Sequence, residues 1–201
     1  MKLVTTAAAL EILGPSFRFT TEIKGSGTIR DGVLMGDLVV VGSGDPTIPS
    51  FRNPDPYAVF RSWAEQLKSM GVTRIQGSVI GVDSAFSGHA LGPGWNWDDE
   101  SFWYAAQVSA LNFYDNCVHV TVKSGANGQP VSWEINPDNG YARIANSSAT
   151  TSGQPEEKFT ILRRDGENLI EIKGEFRSAR RGLTAPVAVD LPSDRVLTRT
   201  R

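Results

Sequence analysis

The stretch NCVHVTVKSG, residues 116–125, alternates apolar and polar side chains along its length. Val118, Val120 and Val122 fall on one face of an extended chain, and polar residues occupy the other face. A period of two residues is typical of a strand with one buried face. The stretch therefore predicts a strand, and it marks the point along the chain where helical periodicity ends.

The segments that follow residue 125 keep the same alternation. They are VSWEIN, YARIANSSATT, KFTILRRDG and NLIEIKGEF. Asn-Gly or Asp-Gly pairs separate several of them, and such pairs favour tight hairpin turns; they are Asn127-Gly128, Asn139-Gly140 and Asp165-Gly166. We therefore predict a small antiparallel β unit over residues 111–185. The remaining residues, 186–201, show no clear period and are expected to form an irregular tail.

Residues 23–110 mix both periodicities. The segment GTIRDGVLMGDLVVVGSGDP predicts a hairpin that turns at Asp31-Gly32, and RIQGSVIGVDS predicts a later strand. Between them, PYAVFRSWAEQLKSMGV has apolar residues at mostly helical spacing, with Gly71 at the C-terminal cap. These observations predict a mixed α/β unit, so the fold class of the whole chain is expected to be α+β.

The first 22 residues form a separate short region. KLVTTAAALEIL predicts a helix over residues 2–13, which Gly14-Pro15 would end. FRFTTEIKG, residues 17–25, then alternates and predicts a strand.

Composition excludes several classes of function. The net charge of −2 gives no basic excess for binding a nucleic-acid backbone. One cysteine and two distant histidines, His89 and His119, make a metal site unexpected, and no cofactor is expected. The sequence contains no run of about 18 apolar residues, so no membrane span is predicted. The first residues also lack the pattern of a signal peptide.

Four ordered segments resemble one protein family. They are MKLVTTAAALEILGPSFRFTTEI at 1–23, GDLVVVGSGDPT at 36–47, GWNWDDESFWYAA at 94–106 and SALNFYDNCVHVTV at 109–122. The family is that of the D-alanyl-D-alanine carboxypeptidase/endopeptidases, low-molecular-mass, class C type penicillin-binding proteins. The resemblance implies that residues 1–22 are a remnant of the catalytic domain, with its active-site helix. Residues 23–110 and 111–185 would be inserted domains.

The same resemblance implies a serine-type peptidase that cleaves peptidoglycan stem peptides through an acyl-serine. In the family's Ser-x-x-Lys motif the lysine is the general base, and Lys2 matches it by position. The matching serine would lie two residues before Met1, and Ser-x-Asn is absent from the sequence. Lys123-Ser124-Gly125 imitates a third family motif but precedes a turn, so it is interpreted as structural. We therefore expect an inactive fragment.

The acidic and aromatic segment at 94–106 suggests a binding site. Carboxylates next to aromatic side chains suit a ligand with a cationic amine on a short apolar arm. The resemblance implies that Asp99 and Tyr104 line a pocket for the free amine of the stem peptide. Asp98 and Trp97 are weaker candidates, because they lie next to Asp99 in the sequence. The alternative is a packing corner with a solvated acidic loop.

Two hypotheses of function remain open. The chain is a fragment of a carboxypeptidase, or it is a non-catalytic module that binds peptidoglycan or another protein. The stem peptide is the expected partner, and a β-lactam would bind covalently only if the serine were restored. The family acts in the periplasm or outside the cell, whereas this sequence as written shows no signal for export.

Overall fold

The first helix of the computed structural model, which describes residues 1–48, 55–155 and 158–192, is α1, Lys2–Leu13. It ends at Gly14, as predicted, and none of its residues is buried. Its apolar side chains are open to solvent, and Leu3 is 87% exposed. The alanines and leucines favour a helix locally, and the rest of the described chain buries none of its side chains.

The α/β region contains six short strands and one helix. The strands are β1 (Glu22–Gly25), β2 (Thr28–Arg30), β3 (Val33–Met35), β4 (Leu38–Val41), β5 (Arg74–Ile75) and β6 (Val79–Val82), and the helix is α2 (Ala58–Ser69). Two three-stranded sheets form, in the orders β1-β4-β6 and β2-β3-β5. Each sheet has one antiparallel and one parallel pair. Gly71 follows α2 with a φ of 84°, which fits the predicted helix end.

The predicted strand at 17–25 is shorter than expected, because β1 begins only at Glu22. Glu22 pairs with Val41, the last residue of β4, so the ladder has no partner before Glu22. The backbone N–H of Thr20 instead donates to Ser43 Oγ, at 2.8 Å. Phe17 and Phe19 pack edge to face with each other, 5.2 Å between ring centroids, and both remain exposed. Alternation alone therefore overestimated this strand.

Strands are the main regular structure in the described part of the second half of the chain. Its elements are β7 (Cys117–Lys123), β8 (Ser132–Asn136), β9 (Arg143–Asn146), β10 (Ala149–Thr151), β11 (Thr160–Arg163), β12 (Leu169–Lys173), β13 (Glu175–Arg177) and β14 (Gly182–Ala188). The sheet orders are β14-β7-β8, β11-β12-β9 and β10-β13. The first sheet is antiparallel, as predicted. The pairs β9-β12 and β10-β13 are parallel, so the unit is mixed rather than purely antiparallel.

The core of this half lies around β7. Val118, Val120 and Val122 are fully buried. They belong to one cluster with Ile170 and Ile172 of β12 and with Val187 of β14. The alternation in residues 116–125 therefore indicated the right face. The fold class predicted from the sequence, α+β, is confirmed.

The C-terminal part of the described chain differs from the predicted irregular tail. β14 continues to Ala188, so the predicted tail at 186–201 begins inside a strand. Residues 193–201 of that tail lie outside the described residues. Within the described ranges, no helix has the length and apolar character that a membrane crossing requires.

A close backbone contact joins the segment that follows β4 to the segment that leads into β7. The backbone N–H of Gly44 donates to the Ala110 carbonyl at 2.9 Å. A Cβ added to Gly42 would lie 2.1 Å from the same oxygen, so only glycine fits there. Asn112 Nδ2 donates to the Asp45 carbonyl at 3.1 Å, and Asn116 Nδ2 donates to Asn112 Oδ1 at 2.7 Å. Two of the four segments that carry the family resemblance therefore contact each other here.

Candidate functional site

The segment from Trp95 to Ala105, which we call the acidic aromatic turn, folds into two short 3-10 helices. They are Trp97–Asp99 and Trp103–Ala105. The backbone N–H of Phe102 donates to the Asp99 carbonyl at 2.8 Å, and that of Ala105 donates to the Phe102 carbonyl at 2.9 Å. This folding brings side chains five residues apart in sequence onto one side of the turn.

Asp99 and Tyr104 are in direct contact. The phenol of Tyr104 donates a hydrogen bond to Asp99 Oδ1 at 2.7 Å. Asn96 Nδ2 donates to the second carboxylate oxygen of Asp99 at 3.3 Å. The hydrogen bond to Asp99 raises the pKa of Tyr104 above 10.0, and desolvation and the charges of Asp99 and Asp98 act in the same direction. The phenol is the donor in this contact and orients the carboxylate.

Aromatic rings surround this pair. Phe102 stacks on Tyr104 with 5.4 Å between centroids and 8° between ring planes, and Trp103 meets Tyr104 edge-on at 6.0 Å. The rings remain accessible: Trp97 is 74% exposed and Tyr104 is 56% exposed. A surface with carboxylates beside open aromatic faces can hold a cationic amine and the apolar carbons attached to it.

The other sequence candidates lie elsewhere. Lys2 occupies the first turn of α1, exposed, and its carbonyl accepts a hydrogen bond from Thr6 Oγ1 at 2.8 Å. No hydrogen bond or ion pair within the described ranges joins Lys2 to Asp99 or Tyr104. Lys123 is the last residue of β7 and pairs with Gly182 and Ser132. It leads into the Asn127-Gly128 turn, where Gly128 has a φ of 79°.

Sequence reasoning missed the residues that hold the turn in place. Arg163, at the end of β11, is only 4% exposed and reaches Glu100. Ser101 is also buried and binds the backbone of Arg163. One signal was available: in KFTILRRDG, Arg163 shares a strand face with Phe159 and Ile161, whereas Arg164 lies on the other face. An arginine on the apolar face of a strand indicates a buried guanidinium that must have partners.

Comparisons with known proteins give the family. The model of the D-Ala-D-Ala carboxypeptidase 3 (S13) family matches residues 1–199. The D-alanyl-D-alanine carboxypeptidase of Actinomadura sp. (strain R39) is 31% identical over 199 residues, which are 96% of this chain and 36% of that protein. D-alanyl-D-alanine carboxypeptidase DacB of Haemophilus influenzae is 30% identical over 126 residues, 63% of this chain and 25% of that protein. The chain thus spans about a third or less of these relatives' length.

Solved structures agree on the fold. The crystal structure of penicillin binding protein 4 (dacB) from Haemophilus influenzae matches with a TM-score of 0.82 and 24% identity, over 98% of this chain and 43% of that one. The same protein complexed with a novel β-lactam matches with a TM-score of 0.69 and 20% identity, over 98% of this chain and 40% of that one. The resemblance found in the sequence is therefore confirmed: the chain belongs to the D-Ala-D-Ala carboxypeptidase 3 (S13) family.

Proposed function

We propose that this chain is part of a serine-type D-Ala-D-Ala carboxypeptidase/endopeptidase that acts on peptidoglycan stem peptides in the periplasm or outside the cell. Its own contribution is to bind the free amine of the stem peptide at the acidic aromatic turn. The observation that carries the proposal is the 2.7 Å hydrogen bond between Tyr104 and Asp99 on an open aromatic surface. Family membership supports the class of reaction.

The chemistry of the pair suits an ammonium group. Tyr104 and Asn96 hold the Asp99 carboxylate in one orientation, and each carboxylate oxygen keeps a free lone pair for a further donor. Asp98 adds a second negative charge nearby. The aromatic faces of Phe102 and Trp103 flank Tyr104 and offer apolar contact for the methylene arm of a diamino acid.

The catalytic roles are a separate part of the proposal. Lys2 would be the general base of a Ser-x-x-Lys motif whose serine is not among these 201 residues, and no serine in the sequence has lysine three positions later. We therefore expect no acylation of the 201-residue chain by penicillin, although the complete site of the family forms an acyl-serine. Mass spectrometry after incubation with penicillin tests this, and a mass increase of one penicillin would contradict it.

Binding of the amine is tested by titration. A stem peptide with a free diamino-acid amine is added to the chain, and tryptophan fluorescence is followed. We expect saturable quenching that is abolished by Asp99→Asn and by acetylation of the peptide's amine. Asp98→Asn is the matched control, because its carboxylate makes no hydrogen bond to Tyr104, and it should retain most of the affinity. Equal quenching by the acetylated peptide would overturn the amine site.

The alternative function is a non-catalytic module that binds peptidoglycan or another protein. The observation in its favour is that the acidic aromatic turn is held by β11 and β14, and no hydrogen bond or ion pair joins it to Lys2 among the described residues. The two functions differ when the chain is joined to segments that supply the serine motif, the Ser-x-Asn motif and the third motif of the family. Gain of penicillin acylation supports the peptidase, whereas binding of the stem peptide without any acylation supports the module.

A further inference from the structure

We propose that Arg163 is a positioning residue, which holds the acidic aromatic turn in the geometry that keeps Asp99 and Tyr104 hydrogen-bonded. This inference deepens the proposed function and rests on it, because the turn is taken as the site of the amine. Arg163 itself lies 59 or more positions away in sequence, and within the described residues it makes no hydrogen bond or ion pair with either side chain. It acts through Glu100 and Ser101, the two residues that follow Asp99.

The guanidinium of Arg163 is fully enclosed, with its side chain 1% exposed. Its Nε donates to the Ala188 carbonyl at 3.0 Å, and its Nη1 donates to the carbonyls of Arg164 and Glu167 at 3.3 and 3.2 Å. Its Nη2 donates to the Glu100 carbonyl at 3.3 Å and to Glu100 Oε2 at 3.4 Å. One planar group therefore binds three separate parts of the chain.

Ser101 closes the connection from the other side. Its hydroxyl donates to the Arg163 carbonyl and accepts from the Arg163 backbone N–H, both at 3.0 Å. Its own carbonyl accepts from the Ala188 backbone N–H at 3.0 Å, and the next residue, Phe102, forms a β-bridge with Val187. The acidic aromatic turn is thus fixed at positions 100–102 to the ends of β11 and β14.

The anchoring of positions 100–102 also constrains the positions of Asp99 and Tyr104. Phe102 donates its backbone N–H to the Asp99 carbonyl, so the anchored residues and Asp99 share one turn of backbone. Tyr104 follows two residues later and stacks on Phe102. A shift of positions 100–102 would therefore change the separation of Asp99 and Tyr104, although neither residue touches Arg163.

An arginine is required here for a physical reason. A buried cation is costly unless it is paired and hydrogen-bonded, and the carbonyls around it would lose their donors if it were removed. Lysine keeps the charge but has no planar fork, so it cannot reach the carbonyls of Glu100 and Ala188 in the same geometry. Arg163→Lys therefore separates the positioning role from the simple need for a positive charge.

The experiment reads the Asp99–Tyr104 contact directly. The chain is labelled with tyrosine carrying ¹³C at Cζ, and Tyr104→Phe assigns the Tyr104 resonance among the four tyrosines. In Arg163→Lys we expect that resonance to move toward its position in Asp99→Asn, and the Tyr104 pKa to fall toward its ordinary value. Affinity for the amine peptide should fall about tenfold or more, as for other displaced binding groups. Arg164→Lys is the matched control, because Arg164 is exposed and its ion pairs, in the part of the chain that the structure describes, are with Glu167 and Glu171.

Each outcome decides the inference. A folded Arg163→Lys with an unchanged Tyr104 resonance would overturn it. Should this variant fail to fold, Ser101→Ala gives the same readout, since it removes two hydrogen bonds and keeps the buried cation paired. Unfolding of both variants also overturns it, since the two residues would then serve stability alone. If the unmutated chain binds no amine peptide, the proposed function fails, but the Tyr104 resonance still tests Arg163.

Discussion

Helix α1 and strand β7 differ in what keeps them ordered. All twelve residues of α1 remain unburied, whereas three valines of β7 are fully buried. Within the described residues the helix has no buried side chain, whereas the strand packs against β12 and β14. The comparison shows that a regular helix or strand can be present whether or not its side chains are buried. Substitutions in the two elements should therefore have very different consequences for the free energy of unfolding.

The largest expected effect comes from the core around β7. Ile172 is fully buried in that core. Ile172→Ala removes buried methyl groups and leaves a cavity, so we expect the free energy of unfolding to fall by about 2–5 kcal/mol. Urea denaturation followed by circular dichroism measures this. Ile12→Ala in α1 is the matched control, because Ile12 is 81% exposed, and it should change the value by at most about 0.5 kcal/mol. An equal loss of unfolding free energy in both variants would contradict the difference between α1 and the core around β7.

The next effect concerns the contact between the segment that follows β4 and the segment that leads into β7. Gly42→Ala places a Cβ against the carbonyl of Ala110. Because a backbone atom cannot move aside as a side chain does, we expect a loss of about 1–3 kcal/mol. Gly88→Ala is the control, since nothing lies within 4 Å of a Cβ added there. Thermal unfolding of both variants sharpens the comparison, and an unchanged melting temperature for Gly42→Ala would contradict the close approach.

The smallest effect is electrostatic and lies on the exposed surface. Asp99→Asn should lower the pKa of Tyr104 toward 10.0, because the carboxylate that raises it is removed. The raised pKa contributes stability that is fully present below the ordinary tyrosine pKa and is lost as the pH rises through the folded value. Absorbance at 295 nm, with Tyr104→Phe as the reference, measures the shift. A Tyr104 titration that is the same in Asp99→Asn would contradict the hydrogen bond.

Local signals predicted those parts of the fold that depend on local sequence. The helix at 2–13, the strand at 117–123 and the turn at Gly128 all follow from spacing and residue type within a few positions. The strand expected from Phe17 failed because its length depends on where β4 ends, at Val41. The parallel pairs β9-β12 and β10-β13 depend on the path of the intervening chain, which no local period records.

Only some residues of the candidate site were predicted from the sequence. Asp99 and Tyr104 came from a resemblance, and the structure joins them by a hydrogen bond. Their roles in binding, and that of Lys2 in catalysis, stay predictions. Arg163 was missed because its partners lie 62 positions away at Ser101 and 25 positions away at Ala188. Its strand face indicated burial, but the identity of its acceptors required the folded chain.

The close approach of Gly42 to Ala110 has a consequence for recombination between relatives. The contact is made with the carbonyl oxygen of Ala110, and it requires that residue 42 has no side chain. Three side chains also take part, because Leu111 Cδ2 lies 2.6 Å from a Cβ added at Gly42, Asn112 donates to the Asp45 carbonyl, and Asn116 donates to Asn112. The geometry should therefore be kept when the glycine, these three residues and the path of the backbone are kept, whatever side chains fill the rest of the β-rich half. We expect that a chimera can take its β-rich half from another family member and still dock it correctly. Recombination at this position would let the surface of the β-rich half change while the backbone contact between Gly42 and Ala110 stays the same.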